Sequence, residues 1–209
     1  MSRDKNIFLH FIEQSWLLLL CSFLFGLMIA LASAAWSPRI KANEAAEFQN
    51  LIIELMPDAN KSEVILSQLE ITKTSKTDVL KAEDANGRTT GFVFTASGAG
   101  YSGEIKLVIA LDSTCDKILG YSVLQCTDSV GFGDRIDIKK DRFFASQFKG
   151  APATSLQLLR TGGAETVDSQ IVAISGATIS SSAVVDIFNN YINTVKEALK
   201  QKGLISNGQ

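Results

Sequence analysis

The chain has 209 residues, 46% apolar and 20% charged, and its 20 basic and 22 acidic side chains leave a net charge of −2. That balance excludes a disordered chain and a polytopic membrane protein, and the absence of any basic run argues against a nucleic-acid surface. The single histidine, His10, sits near the N-terminus, so a Ser–His triad or a His-based metal site is excluded from the rest of the chain.

No charged residue occurs from Trp16 to Trp36, a run of 21 residues. At about 1.5 Å per residue a helix of this length crosses a hydrocarbon core of about 30 Å. The two tryptophans bracket it where indole rings favour the membrane interfaces. The expectation is a transmembrane helix over 16–36, stopped by Pro38 and Arg39, with 1–15 as a short cytoplasmic tail. Ala32-Ser33-Ala34 also fits a signal-peptide cleavage site, but the apolar run exceeds the usual h-region of roughly 7–15 residues. Both readings export the rest of the chain. Arg3 and Lys5 before the span and Arg39 and Lys41 after it give little charge bias, and an inside N-terminus is the simplest single-span arrangement.

Ile40, Phe48, Leu51, Ile52, Leu55 and Met56 recur at helical spacing, predicting an amphipathic helix over 40–56 that ends before Pro57. Residues 58–90 are mixed: Val64, Ile65, Leu66 and Leu69 suit a short strand or helix, and 72–77 a loop or exposed strand. Strands are then predicted over 91–96 and 104–111, a turn over 112–116, and a partner strand over 117–125. Gly131-Phe132-Gly133-Asp134 marks a tight loop. Phe143, Phe144 and Phe148 fit a short helix, and residues 183–200 a long amphipathic one. The sum is an α+β fold: one N-terminal transmembrane helix and, over 37–209, an antiparallel-sheet domain with flanking helices. Cys115 and Cys126 fall at unmatched positions of the hairpin and are expected as free thiols.

Chemistry concentrates in Ile174-Ser175-Gly176-Ala177-Thr178-Ile179-Ser180-Ser181-Ser182, just ahead of the last helix. Small residues there leave the backbone open. A hydroxyl on Thr178 would stand where free N–H groups and the positive end of the helix dipole favour a phosphate. An ordinary Ser/Thr helix cap is the alternative reading of the same residues. The glycines of 131–134 allow a sharp backbone path beside a flat ligand, or simply a turn. Gly98, Gly100, Tyr101 and Gly103 form a second small-residue loop. Asp112, Asp116, Asp128, Asp134 and Asp137 are scattered, as solvated turn residues are.

Together these pieces resemble the G subunit of the Rnf (Rsx) ion-translocating electron transport complex, with the C subunit of the sodium-pumping NADH:quinone reductase as a close second. The resemblance runs through the N-terminal span, Arg39-Ile40 and Asn43-Glu44. It continues through Gly100-Tyr101-Ser102-Gly103-Glu104-Ile105, similar to a GYGGPI-type segment, and 128–134, similar to an ETPGLGD-type loop. Ser175-Gly176-Ala177-Thr178 followed by Ile179-Ser180-Ser181 is similar to the family's flavinylation motif. The chain's length is nearer to that of the Rnf protein than to that of the longer reductase protein.

The resemblance implies FMN joined by a dedicated flavin transferase through a phosphodiester bond to Thr178. Ser175, Gly176, Ala177, Ser180, Asp128, Gly131, Phe132, Gly133 and Tyr101 would shape the site, with Tyr101 as a stacking partner and the strand ends near 124–128 beside the ring. It further implies electron relay between other subunits of an Rnf-type complex, in a bacterial inner membrane, with the FMN domain facing the periplasm. Three positions depart from the family pattern: Val172 replaces an acid six residues before the Thr, with Asp168 the nearest acid upstream; Val130 replaces a Pro; Asp128 replaces a Glu. A scaffold of the same fold that has lost flavin, and a stand-alone flavin reductase, are the competing functions.

Overall fold

In the computed structural model the residues described are 3–72, 75–162 and 167–205, with side chains from residue 14 onward. The chain divides into two compact units, Met1–Ala46 and Glu47–Gln209. A single helix, α1 (Arg3–Leu55), accounts for the described part of the first unit and enters the second. It contains the one segment among the described residues that is long and apolar enough to cross a membrane, with mean hydropathy 2.5.

Pro38 lies inside α1 and does not stop it, which corrects the expected break between the apolar run and the amphipathic helix. Proline removes one helical N–H and crowds the preceding turn. Here its neighbours include Ala34, Ala35, Lys41, Ala42, Glu44, Ala45, Ala46 and Glu47, strong helix formers that carry the helix past one missing bond.

The second unit is built on a five-stranded sheet in the order β1-β2-β3-β4-β5. The strands are β1 (Lys61–Thr72), β2 (Ser75–Glu83), β3 (Thr89–Ala99), β4 (Glu104–Asp112) and β5 (Ile118–Cys126), each antiparallel to the next. Side chains alternate between faces. Phe92, Phe94 and Ala96 with Leu107, Ile109 and Leu111 point to one core, while Val93, Val108 and Ala110 point to a smaller one. Both faces are covered, which is why β4 reads as an unbroken apolar run. Asp112 closes the β4–β5 turn by accepting hydrogen bonds from the amides of Asp116 (2.8 Å) and Lys117 (3.1 Å).

Residues 58–90, a mixed stretch by composition, hold β1, β2 and the first two residues of β3. Register shifts at Val64/Leu66, Leu66/Leu69 and Glu70/Thr72, with Gln68 at φ 55°, break the two-residue period that would have revealed β1. Residues 73 and 74, part of the expected loop or exposed strand, lie outside the described residues, and 75–77 begin β2. A small parallel pair, β6 (Gln157–Leu159) and β7 (Gln170–Val172), is too short to leave a periodic signature.

One face of the sheet is covered by α3 (Thr178–Gln201), which buries Val184, Ile187, Phe188, Tyr191, Ile192, Val195 and Leu199. The other is covered by Phe48, Leu51, Ile52 and Leu55 of α1 together with Met56. At the β5 edge stand a 3₁₀ turn (Gly133–Ile136) and α2 (Arg142–Ser146). Tyr121 on β5 fixes the turn: its hydroxyl donates to the Ile136 carbonyl at 2.6 Å, and its ring meets Phe148 and Phe188 edge-on. Cys115 and Cys126 are free thiols, as expected.

Candidate functional site

α3 begins five residues earlier than its apolar stripe suggests. Thr178 is its first residue and Ala177 its N-cap, and no side chain caps the end. Thr178 therefore is not the N-cap, so the ordinary cap reading of its hydroxyl does not apply. The amides of Thr178, Ile179 and Ser180 have no carbonyl one turn back to accept them, and they carry the positive end of the helix dipole. Ser181, fully buried, fastens the incoming chain: its Oγ accepts from the Ile174 amide at 3.0 Å and donates to the Ala177 carbonyl at 2.9 Å. Gly176 takes φ +82°, a left-handed conformation, and the Phe132 ring lies against it.

Val172, which stands where the resemblance leads one to expect an acid, is buried in β7. The Gln147 side chain holds its backbone, accepting from the amide at 2.7 Å and donating to the carbonyl at 3.1 Å. An amide clamp thus positions the lead-in to the motif. Asp168 accepts from the Gln170 amide at the start of the same strand.

The facing wall is organised by Asp128. Its carboxylate, 6% exposed, accepts from the Ser180 hydroxyl at 2.6 Å, the Ser102 amide at 2.7 Å and the Tyr101 amide at 3.1 Å. Burial pushes its pKa up. The hydrogen bonds from Ser180 and from the amides of Ser102, Tyr101 and Gly103 outweigh that and hold the carboxyl below its usual range. Gly133 makes the approach possible: a Cβ there would lie 2.6 Å from Asp128 Cβ and 2.7 Å from Ser180 Oγ. The 129–134 loop winds around the Ser129 carbonyl, which accepts from the amides of Phe132 and Gly133. Arg135 pairs with Asp141 at 2.6 Å and reaches the Ser175 carbonyl at 3.4 Å.

Between these walls lies a cavity of about 500 Å³, lined by Tyr101, Ser129, Phe132, Gly133, Gly176, Ala177, Thr178, Ile179 and Ser180. Seven of the expected site residues meet there: Tyr101, Phe132, Gly133, Gly176, Ala177, Thr178 and Ser180. Asp128 lies beneath rather than in the wall. Gly131 and Ser175 do not line the cavity: the Gly131 amide turns to Asp134 at 2.7 Å, and Ser175 is exposed. Of the strand end at 124–128, none lines it. Ser129 and Ile179 also line it. Both lie within the 128–134 and 174–182 motifs but were not among the expected site residues.

The lining suits a flat aromatic phosphate ester. Tyr101 and Phe132 offer ring faces, 66% and 61% exposed, and the open helix end offers amides to an anion. No charged side chain lines the wall. Among the described residues no group of His, Cys, Asp and Glu could hold a metal ion.

Comparison with known proteins agrees with that chemistry. Residues 100–193 match the family model described as FMN-binding domain. The G subunit of the ion-translocating oxidoreductase complex of Methanosarcina acetivorans is 29% identical over 170 residues, 80% of this chain and 85% of the relative. Its counterpart from Cereibacter sphaeroides is 31% identical over 81% of this chain and 77% of its own. The chain belongs to the G-subunit family of ion-translocating oxidoreductase complexes. Within this G-family protein the FMN-binding match takes in every residue of the cavity wall. The crystal structure of Shewanella oneidensis NqrC, 22% identical, aligns with a TM-score of 0.54 over 70% of the G-family chain and 73% of its own, a likeness of fold.

Proposed function

We propose that this protein carries FMN covalently on Thr178, attached by a flavin transferase, and relays electrons between other subunits on the periplasmic side of a bacterial inner membrane. Its family and its FMN-binding domain make it an FMN electron carrier of an ion-translocating oxidoreductase complex. The covalent bond, the transferase and the orientation go beyond that. Residues 16–36 would span the bilayer, with 1–15 inside and 37–209 outside.

The observation that carries the covalent reading is Thr178 itself. It is half-buried, lines the cavity, and its hydroxyl has no hydrogen-bond partner among the described residues. The hydroxyls that follow it are engaged, Ser180 with Asp128, Ser181 with Ala177 and Ile174, Ser182 with Asp186, and Ser175 before it is exposed and does not line the cavity. When bound, FMN supplies one- and two-electron transfer. The chain's residues would hold its phosphate at the first turn of α3, and Tyr101 and Phe132 would cover its ring and exclude water. A covalent tether suits a compartment where lost FMN is not replaced.

The test is intact mass of the full chain co-expressed with a flavin transferase. Wild type gains the mass of FMN less water, Thr178→Val gains nothing and folds normally, and Thr178→Ser keeps part of the label. Wild type without added mass would refute the covalent reading. A Thr178→Val variant that unfolds would make the residue structural.

A further inference from the structure

We propose that Asp128 is a positioning residue for cofactor attachment: it fastens the Tyr101 loop and the first turn of α3 to one buried point, and so presents the Thr178 hydroxyl on a fixed wall. The inference rests on the covalent reading of Thr178.

Five hydroxyls crowd the start of α3: Ser175, Thr178, Ser180, Ser181 and Ser182. Only Thr178 and Ser180 line the cavity. Ser180 is 2% exposed, its proton committed to Asp128 Oδ2 and its oxygen covered by Gly133. An ionised carboxylate only accepts, so the direction of that hydrogen bond cannot reverse. The bond that withdraws the rival hydroxyl also pins the helix. Thr178 and Ser180 are two residues apart, about 200° around the axis at 3.6 residues per turn. Holding Ser180 therefore sets the rotation of the helix end and with it the place of Thr178. The remaining lone pairs of Asp128 gather the amides of Tyr101 and Ser102, so the opposite wall is referenced to the same atoms.

Attachment forms the bond between Thr178 Oγ1 and phosphorus as the pyrophosphate P–O bond of a flavin dinucleotide donor breaks. A nucleoside monophosphate leaves, and the hydroxyl proton passes to the transferase or to water. Displacement at phosphorus is sensitive to placement, and a shift of about 1 Å costs on the order of 10²-fold.

The test uses the full chain in detergent with flavin transferase and flavin dinucleotide. Labelling is followed by intact mass across a range of acceptor concentrations, for wild type, Asp128→Asn and Ser180→Ala. The saturating rate should fall about tenfold or more in both variants. The half-saturating concentration should stay within about twofold, because a buried carboxylate and a buried hydroxyl present nothing to the transferase. Ser180→Ala should still melt cooperatively, lowered only by the one hydrogen bond lost, and this variant alone decides the matter if Asp128→Asn does not fold. Labelling of both variants at the wild-type rate, or a loss confined to half-saturation, overturns the inference and leaves the attachment reading standing. Wild type that takes no label at all brings down both.

Discussion

Thr178 and Ser180 carry similar groups two residues apart and meet opposite fates. Thr178 lines the cavity with a hydroxyl that has no hydrogen-bond partner among the described residues, while Ser180 is drawn onto Asp128 and buried beneath Gly133. Substituting Thr178 with Val should therefore remove all covalent flavin while changing stability by no more than about 0.5 kcal/mol, as for a residue without structural bonds. Intact mass and thermal melting measure the two effects separately. Asp128 gives a pH dependence. Its folded pKa lies below the ordinary value of 3.8, so its contribution to stability is complete above the unfolded pKa, about 3.9. That contribution is lost as pH falls through the folded value. Acidification below about pH 4 should loosen the amides of Tyr101 and Ser102, seen as chemical-shift changes and faster amide exchange. Asp128→Asn should abolish that titration.

At the scale of elements, the site depends on how α3 is seated. The helix end that carries Thr178 projects from a stripe that packs Phe188 against Tyr121 and Phe148, with centroids 5.6 Å and 4.7 Å away. Tyr121 in turn holds the 3₁₀ turn that supports the facing loop. Truncating Phe188 to Ala leaves a cavity where three elements meet and should cost about 3–5 kcal/mol, measured by urea unfolding of the flavin-free protein. The 129–134 loop and α3 should loosen together, because both walls rest on the same aromatic group. Asn189 does similar work at the surface: its side-chain amide accepts from the Leu156 amide and donates to the Leu156 carbonyl, which ties α3 to the segment before β6.

For the whole molecule, the compact unit begins at Glu47, within α1. Removal of 1–46 should leave a domain that folds without detergent, since Phe48, Leu51, Ile52, Leu55 and Met56 remain to cover Leu80, Val93, Val108 and Ala110. Removal through Met56 should bare that face and yield an aggregating product, checked by size-exclusion chromatography. Protease added to spheroplasts should digest the domain after residue 37 if it faces the periplasm as proposed. Protection until lysis would reverse the assignment.

Much of this was legible in the residues themselves. The uncharged run from Trp16 to Trp36, the strands around Phe92–Phe94, Leu107–Leu111 and Ile118–Leu124, and the stripe of α3 all announce themselves through local period, because burial of one face imposes it. The hydroxyl run around the start of α3 was equally visible. What sequence could not supply was long-range. Asp128 and Ser180 are 52 positions apart, and no local pattern marks them as partners. β1 was hidden by its bulges, and the continuation of α1 through Pro38 depended on a balance between one lost bond and many good helix formers. Local composition determined which groups were present and which segments could bury themselves. Tertiary packing decided which of the two cavity-lining hydroxyls was engaged, because that choice is made by a carboxylate that reaches Ser180 only once the sheet and loops have folded.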